Sequence, residues 1–596
     1  MPTYKAPLDD VRFVLHEIIN AGSLAQLPGY ADATAETMDT VLEEAGKICT
    51  EILQPLNQSG DLEGCTFAEG LVRTPKGFKE AYETFRENGW TGLSCKTELG
   101  GQGLPLLLNC VIEEFVCSAN MAFGMYPGLS HGVYNAVDQY GADDLRKLYL
   151  PRLVDGSWTG TMCLTEPQCG TDLGLIRTKT VAQNDGSYLV TGTKIFISAG
   201  EHDLAENIVH LVLARLPDAP AGIKGISLFI VPKFLPLADG TLGARNPVVC
   251  GSIEHKMGIK GSATCVMNFD GAQGWLVGKP HKGMTAMFAM MNEARLGVGL
   301  QGLGLAEVAY QNALIYAKER LQGRALSGAK FPDKPADPLI VHPDVRRNLL
   351  TMKALTEGCR ALAYWVGREL DVHTKHPDET IRAQAGDFVA LMTPVIKAFL
   401  TDVGFDVTNL GVQIFGGHGY IREHGMEQFV RDARIAQLYE GTNGIQALDL
   451  VGRKMPEDYG RLMRSFFHPA AEFIAAEKDN SALTDLLPFF MSSFGKLQVA
   501  TLTVATRGFG NPEEAGAAAS DYLRLLALVA VGFMWLKMAK VAAEKLPQAG
   551  ERAPFYDAKI KTARFYFNKI MPQANALNIA ILAGAKSVMD LPAEAF

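Results

Sequence analysis

The sequence predicts an α+β protein with several domains, because helical and strand-rich regions follow one another along the chain. Apolar residues recur at helical spacing from residue 38, for example over Met38–Leu53, and this spacing returns at about residue 280. Between these regions, short apolar runs such as Ile208–Leu213 and Ile226–Val231 are separated by glycine, proline and aspartate turns. A chain of 596 residues is also too long for one hydrophobic core.

Taken in order, the predicted regions are an N-terminal extension (1–37), a helical domain (38–158), a β-domain (159–280), a helical bundle (281–455) and a further helical domain (456–596). No helix of about 10 to 15 residues separates the predicted strands, which favours an antiparallel β-domain over a parallel dinucleotide-binding sheet. A GxGxxG string at Gly297, Gly299 and Gly302 follows a helical segment instead of a strand. We therefore interpret these glycines as sites of close helix packing.

Composition excludes several kinds of protein. The net charge is -9 with no long basic run, which argues against nucleic acid as the main partner. Asp9 and Asp10 stand where a secretion signal would have basic residues, so we expect a cytoplasmic protein without a targeting segment. The ten cysteines form no CxxC pair, which indicates reduced thiols and no metal site.

The longest apolar stretch, Leu525–Leu536, is bracketed by Arg524 and Lys537. It is too short to span a bilayer, so we predict no transmembrane segment and a buried helix at this position. A peripheral membrane contact stays open as an alternative.

One carboxylate, Glu440, has the surroundings expected of a catalytic base. Ile435 and Tyr439 have helical spacing, and Gly441 is a residue at which a helix would end. A carboxylate held there among apolar groups would have a raised pKa and could act as a base near neutral pH. The same spacing also fits a solvated residue at a helix end.

The string YEGT over Tyr439–Thr442, preceded by RDAR and followed by IQ, resembles the signature of the acyl-CoA dehydrogenase flavoproteins, as does GGHGY upstream. Four further stretches match in the same order, so the resemblance covers roughly residues 40 to 455. It implies an N-terminal helical domain, a middle antiparallel β-domain and a C-terminal helical bundle, with FAD as cofactor. It also makes Glu440 the base that removes the α-proton of an acyl-CoA thioester.

Two segments of the β-domain resemble the flavin-binding segments of this family. In TGTKIFISAG, the resemblance implies that Phe196 covers one face of the flavin and that Ser198 contacts the ring near N5. Strand alternation predicts that both side chains lie on the same face; without the resemblance, Phe196 would be core packing. In MCLTEPQCGT, it implies FAD contacts from Met162, Leu164, Thr165, Gly170 and Thr171.

Further contacts are implied elsewhere in the chain. The segment YAKERLQGRAL resembles one whose arginine meets the FAD diphosphate across a subunit boundary, a role that falls on Arg320 with Gln322 beside it. Thr171, Arg295 and Gly441 are expected at the acyl-CoA substrate, although the spacing of Arg295 fits a salt bridge equally well. The remaining implied FAD contacts are Gln413, Gly416, Gly417 and Thr442.

Residues 456–596 resemble the extra domain of long-form family members, where it covers the position of a second dimer, so we expect a homodimer. Within the family, MAFGMYPGLSHG, WTGTMCLTEP and ENIVHLVLARLP are most similar to bacterial dehydrogenases that act on 3-(methylthio)propanoyl-CoA. The resemblance implies oxidation of that thioester to 3-(methylthio)acryloyl-CoA, with an electron-transferring flavoprotein as the electron acceptor.

Four other functions stay open. The chain could be a dehydrogenase of short- or medium-chain fatty acyl-CoA, or an acyl-CoA oxidase that lets oxygen reach the reduced flavin. A non-catalytic acyl-CoA-binding scaffold would keep the fold without the chemistry. A DNA-associated flavoprotein would need a basic terminal region, which the acidic C-terminal domain does not provide.

Overall fold

A computed structural model of the chain describes residues 2–596; Met1, at the start of the predicted extension, lies outside the described residues. The chain divides into two compact units that alternate along the sequence. The first unit contains the residues up to 44 together with 105–114 and 298–596, and the second contains 45–104 and 115–297.

Helices precede and follow a strand-rich region, as the α+β prediction requires. The strands are β1 (Thr66–Ala68), β2 (Leu71–Arg73), β3 (Trp158–Cys163), β4 (Lys179–Ala182), β5 (Tyr188–Ser198), β6 (Asn207–Arg215), β7 (Ile226–Pro232), β8 (Phe234–Pro236), β9 (Leu242–Arg245), β10 (Val248–Ile253) and β11 (Thr264–Val277). The helices are α1 (Leu8–Arg12), α2 (Ala35–Ile48), α3 (Pro55–Glu63), α4 (Phe78–Glu87), α5 (Leu106–Tyr140), α6 (Asp143–Val154), α7 (Gly283–Glu319), α8 (Pro343–Lys375), α9 (Glu379–Phe415), α10 (Met426–Ala436), α11 (Asn443–Asp449), α12 (Arg461–Glu477), α13 (Leu487–Gly510), α14 (Pro512–Lys545), α15 (Ala553–Phe565), α16 (Gln573–Leu582) and α17 (Lys586–Met589).

The main sheet has seven strands in the order β10-β11-β5-β4-β6-β3, and β7 pairs with both β11 and β6. Most pairings are antiparallel, as predicted. However, β3 runs parallel to β6 from Trp158↔Asn207 to Cys163↔Val212. β4 also meets β6 in parallel. The antiparallel prediction is wrong for these pairs. The loop of residues 164–178 returns the chain to the same end of the sheet, so β4 runs in the same direction as β3. β5 runs in the opposite direction, and β6 again runs in the direction of β3 and β4.

Strand β6 is buried on both faces. Val209, Leu211 and Leu213 pack in one apolar cluster with residues of α5 and α6. The alternate residues Val212 and Ala214 belong to a second cluster on the opposite face. Burial on both faces explains why the strand reads as a continuous apolar run instead of an alternating one.

The GxGxxG glycines lie inside α7, so the helix-packing interpretation is confirmed. A Cβ on Gly299 would come within 2.6 Å of the Ile396 side chain on α9. A Cβ on Gly302 would come within 2.4 Å of the Leu400 carbonyl oxygen. Only glycine permits this approach of the two helices.

A buried charge cluster links the N-terminal and C-terminal parts of the first unit. The Arg360 guanidinium on α8 is fully buried and donates to Glu114 and Glu307, each at 2.6 Å. It also donates to Asp10 on α1, which accepts from Lys559 on α15. Because a buried charge left unpaired is costly, these ion pairs bind helices that are distant in sequence.

The helix predicted at Leu525–Leu536 extends well beyond that apolar stretch. Leu525–Leu536 lies within α14, and three helical stretches of the described residues are long and apolar enough to cross a membrane: Leu106–Tyr140, Glu379–Tyr420 and Pro512–Gln548. The length argument from the sequence is therefore wrong. Of the most apolar window of each, 78–83% is buried inside the chain, which supports the prediction of a buried helix.

Helix α14 packs closely on α8 through Trp535. This side chain is fully buried, and its Nε1–H donates to the Ala354 carbonyl at 3.0 Å. A Cβ on Gly358 would come within 2.6 Å of the indole nitrogen. The residues after 455 therefore share a core with the bundle.

Candidate active site

The loop after β3 carries the first predicted flavin segment and is organised by a buried carboxylate, Glu166. Its oxygens accept from the Lys194 ammonium at 2.8 Å and from the Thr178 hydroxyl at 2.6 Å. Backbone N–H groups of Arg177 and Thr178 donate at 2.8 and 3.0 Å. Lys194 also donates to the Leu164 carbonyl at 3.0 Å, so one ion pair joins this loop to β5.

The electrostatics of this loop keep Glu166 ionised. Burial opposes ionisation, but the Lys194 ammonium and the hydrogen bonds from Thr178 and Arg177 lower the pKa of Glu166 to about 2. Glu166 is therefore ionised at neutral pH, whereas burial lowers the pKa of Lys194 against the opposing effect of the Glu166 carboxylate. Neither residue was among the predicted site residues; a lysine within a strand between the apolar residues Val190 and Ile195 is the signal that could have indicated a buried partner.

The predicted flavin residues on this loop differ in exposure. Leu164 is buried, Met162 and Thr165 are half-buried, and Gly170 and Thr171 are exposed. The Thr165 carbonyl accepts from the Ile195 N–H at 2.9 Å. This bond ties Thr165 to the segment of β5 that carries the predicted flavin cover.

Phe196 lies at an irregularity in β5. The pairing with β11 shifts register between Cys265↔Ile197 and Met267↔Lys194. Phe196 has φ 57° and is 60% exposed, whereas Ser198 is half-buried. Simple alternation therefore does not apply across Phe196, because the extra residue interrupts the period of two. The exposed ring is not core packing, and its face can stack on a planar ligand.

Glu440 lies between α10 and α11, in a turn instead of at a helix end. Helix α10 ends at Ala436, so the predicted continuation to Gly441 is wrong. Glu440 has φ 57° and Gly441 has φ 81°, two successive left-handed residues. The buried side chain of Gln446 donates to the Glu440 carbonyl at 2.9 Å. A non-glycine residue persists in this conformation only where its surroundings hold it there.

Asn443 anchors the turn to α9. Its side-chain oxygen accepts from the buried Lys397 ammonium at 2.9 Å. Its side-chain nitrogen donates to Asp402 at 2.7 Å and to the Ala398 carbonyl at 3.1 Å. An amide side chain can accept from a cation and donate to a carboxylate at the same time. Asn443 and Gln446 were not predicted to hold this turn, because no sequence pattern distinguishes them from other polar residues.

Thr442 caps helix α11. Its hydroxyl accepts from the Ile445 N–H at 3.3 Å, and the residue is exposed. This capping bond uses one acceptor position, which leaves the hydroxyl proton to be donated to a ligand.

The remaining predicted FAD residues lie on two exposed segments of the first unit. Arg320 and Gln322 are exposed after the end of α7. Gln413, Gly416 and Gly417 are exposed around the end of α9. Gly416 has φ 60°, which explains this glycine, and a Cβ on Gly416 or Gly417 would meet no atom within 4 Å. Backbone atoms at both glycines are therefore open to a ligand.

Arg295, a predicted substrate residue, is buried on α7 beside a polar cluster that the sequence analysis missed. The cluster joins His131 to Glu293 through Nδ1 and to the Ser94 hydroxyl through Nε2 at 2.8 Å. Burial favours the neutral imidazole, but the Glu293 carboxylate raises the pKa of His131 well above its usual value. Glu293 lies two positions before Arg295, so this ion pair fixes the segment of α7 from which Arg295 extends.

These residues supply a suitable set of groups for FAD. They provide an exposed aromatic face, hydroxyl donors at Thr165, Ser198 and Thr442, open backbone at a glycine pair and a guanidinium for a diphosphate. Among residues 2–596, no group of three His, Cys, Asp or Glu side chains is arranged to hold a metal ion. The aromatic face, the hydroxyl donors and the guanidinium are each chemically suited to a part of FAD.

Comparison with protein families gives four matches in chain order. They are "Acyl-CoA dehydrogenase, N-terminal domain" over residues 37–157, "Acyl-CoA dehydrogenase, middle domain" over 161–272, "Acyl-CoA dehydrogenase, C-terminal domain" over 281–455 and "Acetyl-CoA dehydrogenase C-terminal like" over 466–592. Together they cover most of the chain, including the residues after 455.

Individual proteins are also similar over almost the full length. The chain is 43% identical to a 3-methylmercaptopropionyl-CoA dehydrogenase of Ruegeria pomeroyi, covering 96% of this chain and 97% of that protein. It is 35% identical to a butyryl-CoA dehydrogenase of Syntrophomonas wolfei, covering 100% and 99%. A solved acyl-CoA dehydrogenase complexed with FAD from Bacillus anthracis shares the fold, with a TM-score of 0.75, 20% identity and coverage of 94% and 90%.

Proposed function

This chain belongs to the acyl-CoA dehydrogenase family and is an FAD-dependent oxidoreductase, and from that premise we propose that it oxidises 3-(methylthio)propanoyl-CoA to 3-(methylthio)acryloyl-CoA. In this proposal Glu440 is the catalytic base that removes the α-proton. The observation that carries the proposal is the turn that holds Glu440. Gln446 bonds to the Glu440 carbonyl and Asn443 anchors the following residues to α9, so the backbone of the carboxylate residue is held in a left-handed conformation. A fixed backbone limits the positions that the carboxylate can reach, which favours one proton transfer.

The protein residues have separate roles in the proposed reaction. Glu440 takes the α-proton, and its backbone N–H donates to the thioester carbonyl as negative charge develops on that oxygen. FAD, when bound, would supply the hydride acceptor for the β-hydrogen. Phe196 would cover one face of the ring, while Thr165 and Ser198 would donate to its polar edge. Arg320 and Gln322 bind the diphosphate, and Arg295 contacts the CoA-bearing ligand.

The substrate is the finer part of the proposal. Its support is the 43% identity to a protein named for 3-methylmercaptopropionyl-CoA over almost the full length of both chains. A thioether has nearly the shape of a methylene and makes only weak polar contacts. We therefore expect butanoyl-CoA, the substrate named for the 35% identical relative, to react more slowly at the same site. We also propose an electron-transferring flavoprotein as acceptor, a homodimeric assembly and a cytoplasmic location.

The proposal is tested by anaerobic mixing of the purified holoprotein with 3-(methylthio)propanoyl-CoA while the flavin absorbance is followed. Wild type should bleach, and Glu440→Gln should bleach roughly 10²–10⁴-fold more slowly because it lacks the base. Binding of the substrate should be retained, since glutamine has nearly the same shape. The matched control is Glu423→Gln, an exposed glutamate before α10 that should behave as wild type.

Several results would contradict the proposal. Equal bleaching of wild type and Glu440→Gln would show that Glu440 is not the base. Steady-state rates that favour octanoyl-CoA or longer chains would overturn the substrate. Hydrogen peroxide formed at the rate of substrate consumption in air would assign the chain as an oxidase.

A further inference from the structure

The segment that carries Arg320 and Gln322 is followed by a long surface loop that closes on a single carboxylate. Asp337 is fully buried although most residues of the loop are exposed. Its oxygens accept from the backbone N–H groups of Ala325 at 2.9 Å, Lys330 at 3.0 Å and Phe331 at 2.8 Å. A carboxylate with three such donors organises the loop around itself.

One arginine reinforces this arrangement from inside the loop. Arg324 donates to the Phe331 carbonyl at 3.0 Å and to the Lys334 carbonyl at 2.5 Å, and it lies 3.4 Å from the Asp337 carboxylate. Hydrogen bonds, with the Ala325 N–H contributing most, lower the pKa of Asp337 to about 2. The carboxylate therefore stays ionised throughout the physiological range.

The two ends of the loop form a short ladder beside the predicted FAD residues. The Gln322 N–H donates to the Asp337 carbonyl at 2.9 Å, and the Leu339 N–H donates to the Arg320 carbonyl at 2.9 Å. The His342 Nε2–H donates to the Gln322 carbonyl at 2.8 Å. The backbone of Arg320 and Gln322 is therefore held by residues 337–339, which form an isolated bridge with it, while both side chains stay exposed.

We propose that Asp337 is a positioning residue for FAD: by closing the loop, it holds Arg320 and Gln322 in the conformation that binds the cofactor diphosphate. This inference rests on the proposed role of Arg320. A guanidinium binds a diphosphate through directed hydrogen bonds. Mobility of the Arg320 backbone would therefore weaken this contact more than the loss of the Asp337 charge by itself would.

The test measures release of FAD from the diluted holoenzyme by the recovery of flavin fluorescence, without any acyl-CoA. Asp337→Ala should release FAD at least tenfold faster than wild type. Asp337→Asn should have a smaller effect than Asp337→Ala, because one acceptor oxygen remains. Some acceleration is still expected, because the amide nitrogen faces N–H donors and cannot accept from them. Asp333→Asn, an exposed aspartate in the same loop, should release FAD at the wild-type rate.

A combined variant separates positioning from a general structural effect. If Asp337 acts through Arg320 and Gln322, adding Asp337→Ala to a chain that carries Arg320→Ala and Gln322→Ala should not accelerate release further. A further multiplication of the release rate in that combined variant, or wild-type release from both Asp337 variants, would overturn the proposal. If Arg320→Ala releases FAD at the wild-type rate, Arg320 does not bind the diphosphate, and the proposed role of Asp337 is overturned as well. None of these readouts depends on which acyl-CoA is oxidised, so failure of the substrate assignment is distinguished from failure of this inference.

Discussion

Two segments that carry predicted site residues, one in each compact unit, are held in place in different ways. The loop after β3 is fixed by direct contact between a buried lysine and a buried glutamate, Lys194 and Glu166. The turn that carries Glu440 is fixed by an amide, Asn443, which lies between Lys397 and Asp402. The first arrangement depends on full ionisation of one contact pair, and the second depends on the orientation of one amide. The comparison predicts that the two segments differ in their sensitivity to charge and to pH.

The largest expected effect is the loss of one partner of the direct ion pair. Lys194→Met leaves the Glu166 carboxylate buried without its cation, which should destabilise the β-domain by about 3–5 kcal/mol. Urea unfolding of the holoprotein measures this as a lower midpoint. Lys224→Met, at an exposed lysine, is the control. The double variant Lys194→Met/Glu166→Gln should recover part of the loss; no recovery would mean that packing, not charge, holds the loop.

A smaller effect is expected from the bridging amide. Asn443→Leu removes both contacts of the bridge and lets the Glu440 turn move, and a displacement of about 1 Å can slow catalysis about 10²-fold. Anaerobic bleaching by substrate should therefore slow by roughly 10- to 100-fold while the flavin content of the protein is unchanged. Asn575→Leu, an exposed asparagine on α16, provides the comparison. Wild-type bleaching by Asn443→Leu would show that the bridge does not position the base.

The smallest effect concerns acid. The folded-state pKa of Glu166 is about 2, below its usual value of 4.5, so its contribution to stability is present above about pH 4.5 and is lost as pH falls toward 2. Glu166→Gln should flatten the fall in thermal midpoint across this window. An unchanged slope in Glu166→Gln would show that other carboxylates dominate acid unfolding.

Sequence reasoning predicted the order of helical and strand-rich regions and the α7 glycine packing, because apolar period and glycine spacing are local signals. It could not predict where α10 ends. The residues after Ala436 have helical spacing, but Asn443 and Gln446 hold the chain in a turn through contacts with α9 and with Glu440. Such contacts join residues that are distant in sequence or lack a pattern.

The same limit applies to the flavin cover and to the apolar helix. Alternation around Phe196 is interrupted by an extra residue in β5 relative to β11. No local sequence pattern marks this irregularity. The length of α14 was underestimated from its apolar run alone. Asn511 and Pro512 do carry a helix-start signal, and the Asn511 side chain accepts from the Glu513 N–H at 3.1 Å.

The contact between Trp535 and Gly358 also constrains how this chain could have evolved. A shorter chain ending near residue 455 would leave the apolar surface of α8 in water at the place where α14 now packs. A soluble chain without the C-terminal region would therefore need polar substitutions on this face of α8, whereas Gly358 is needed only while Trp535 packs against it.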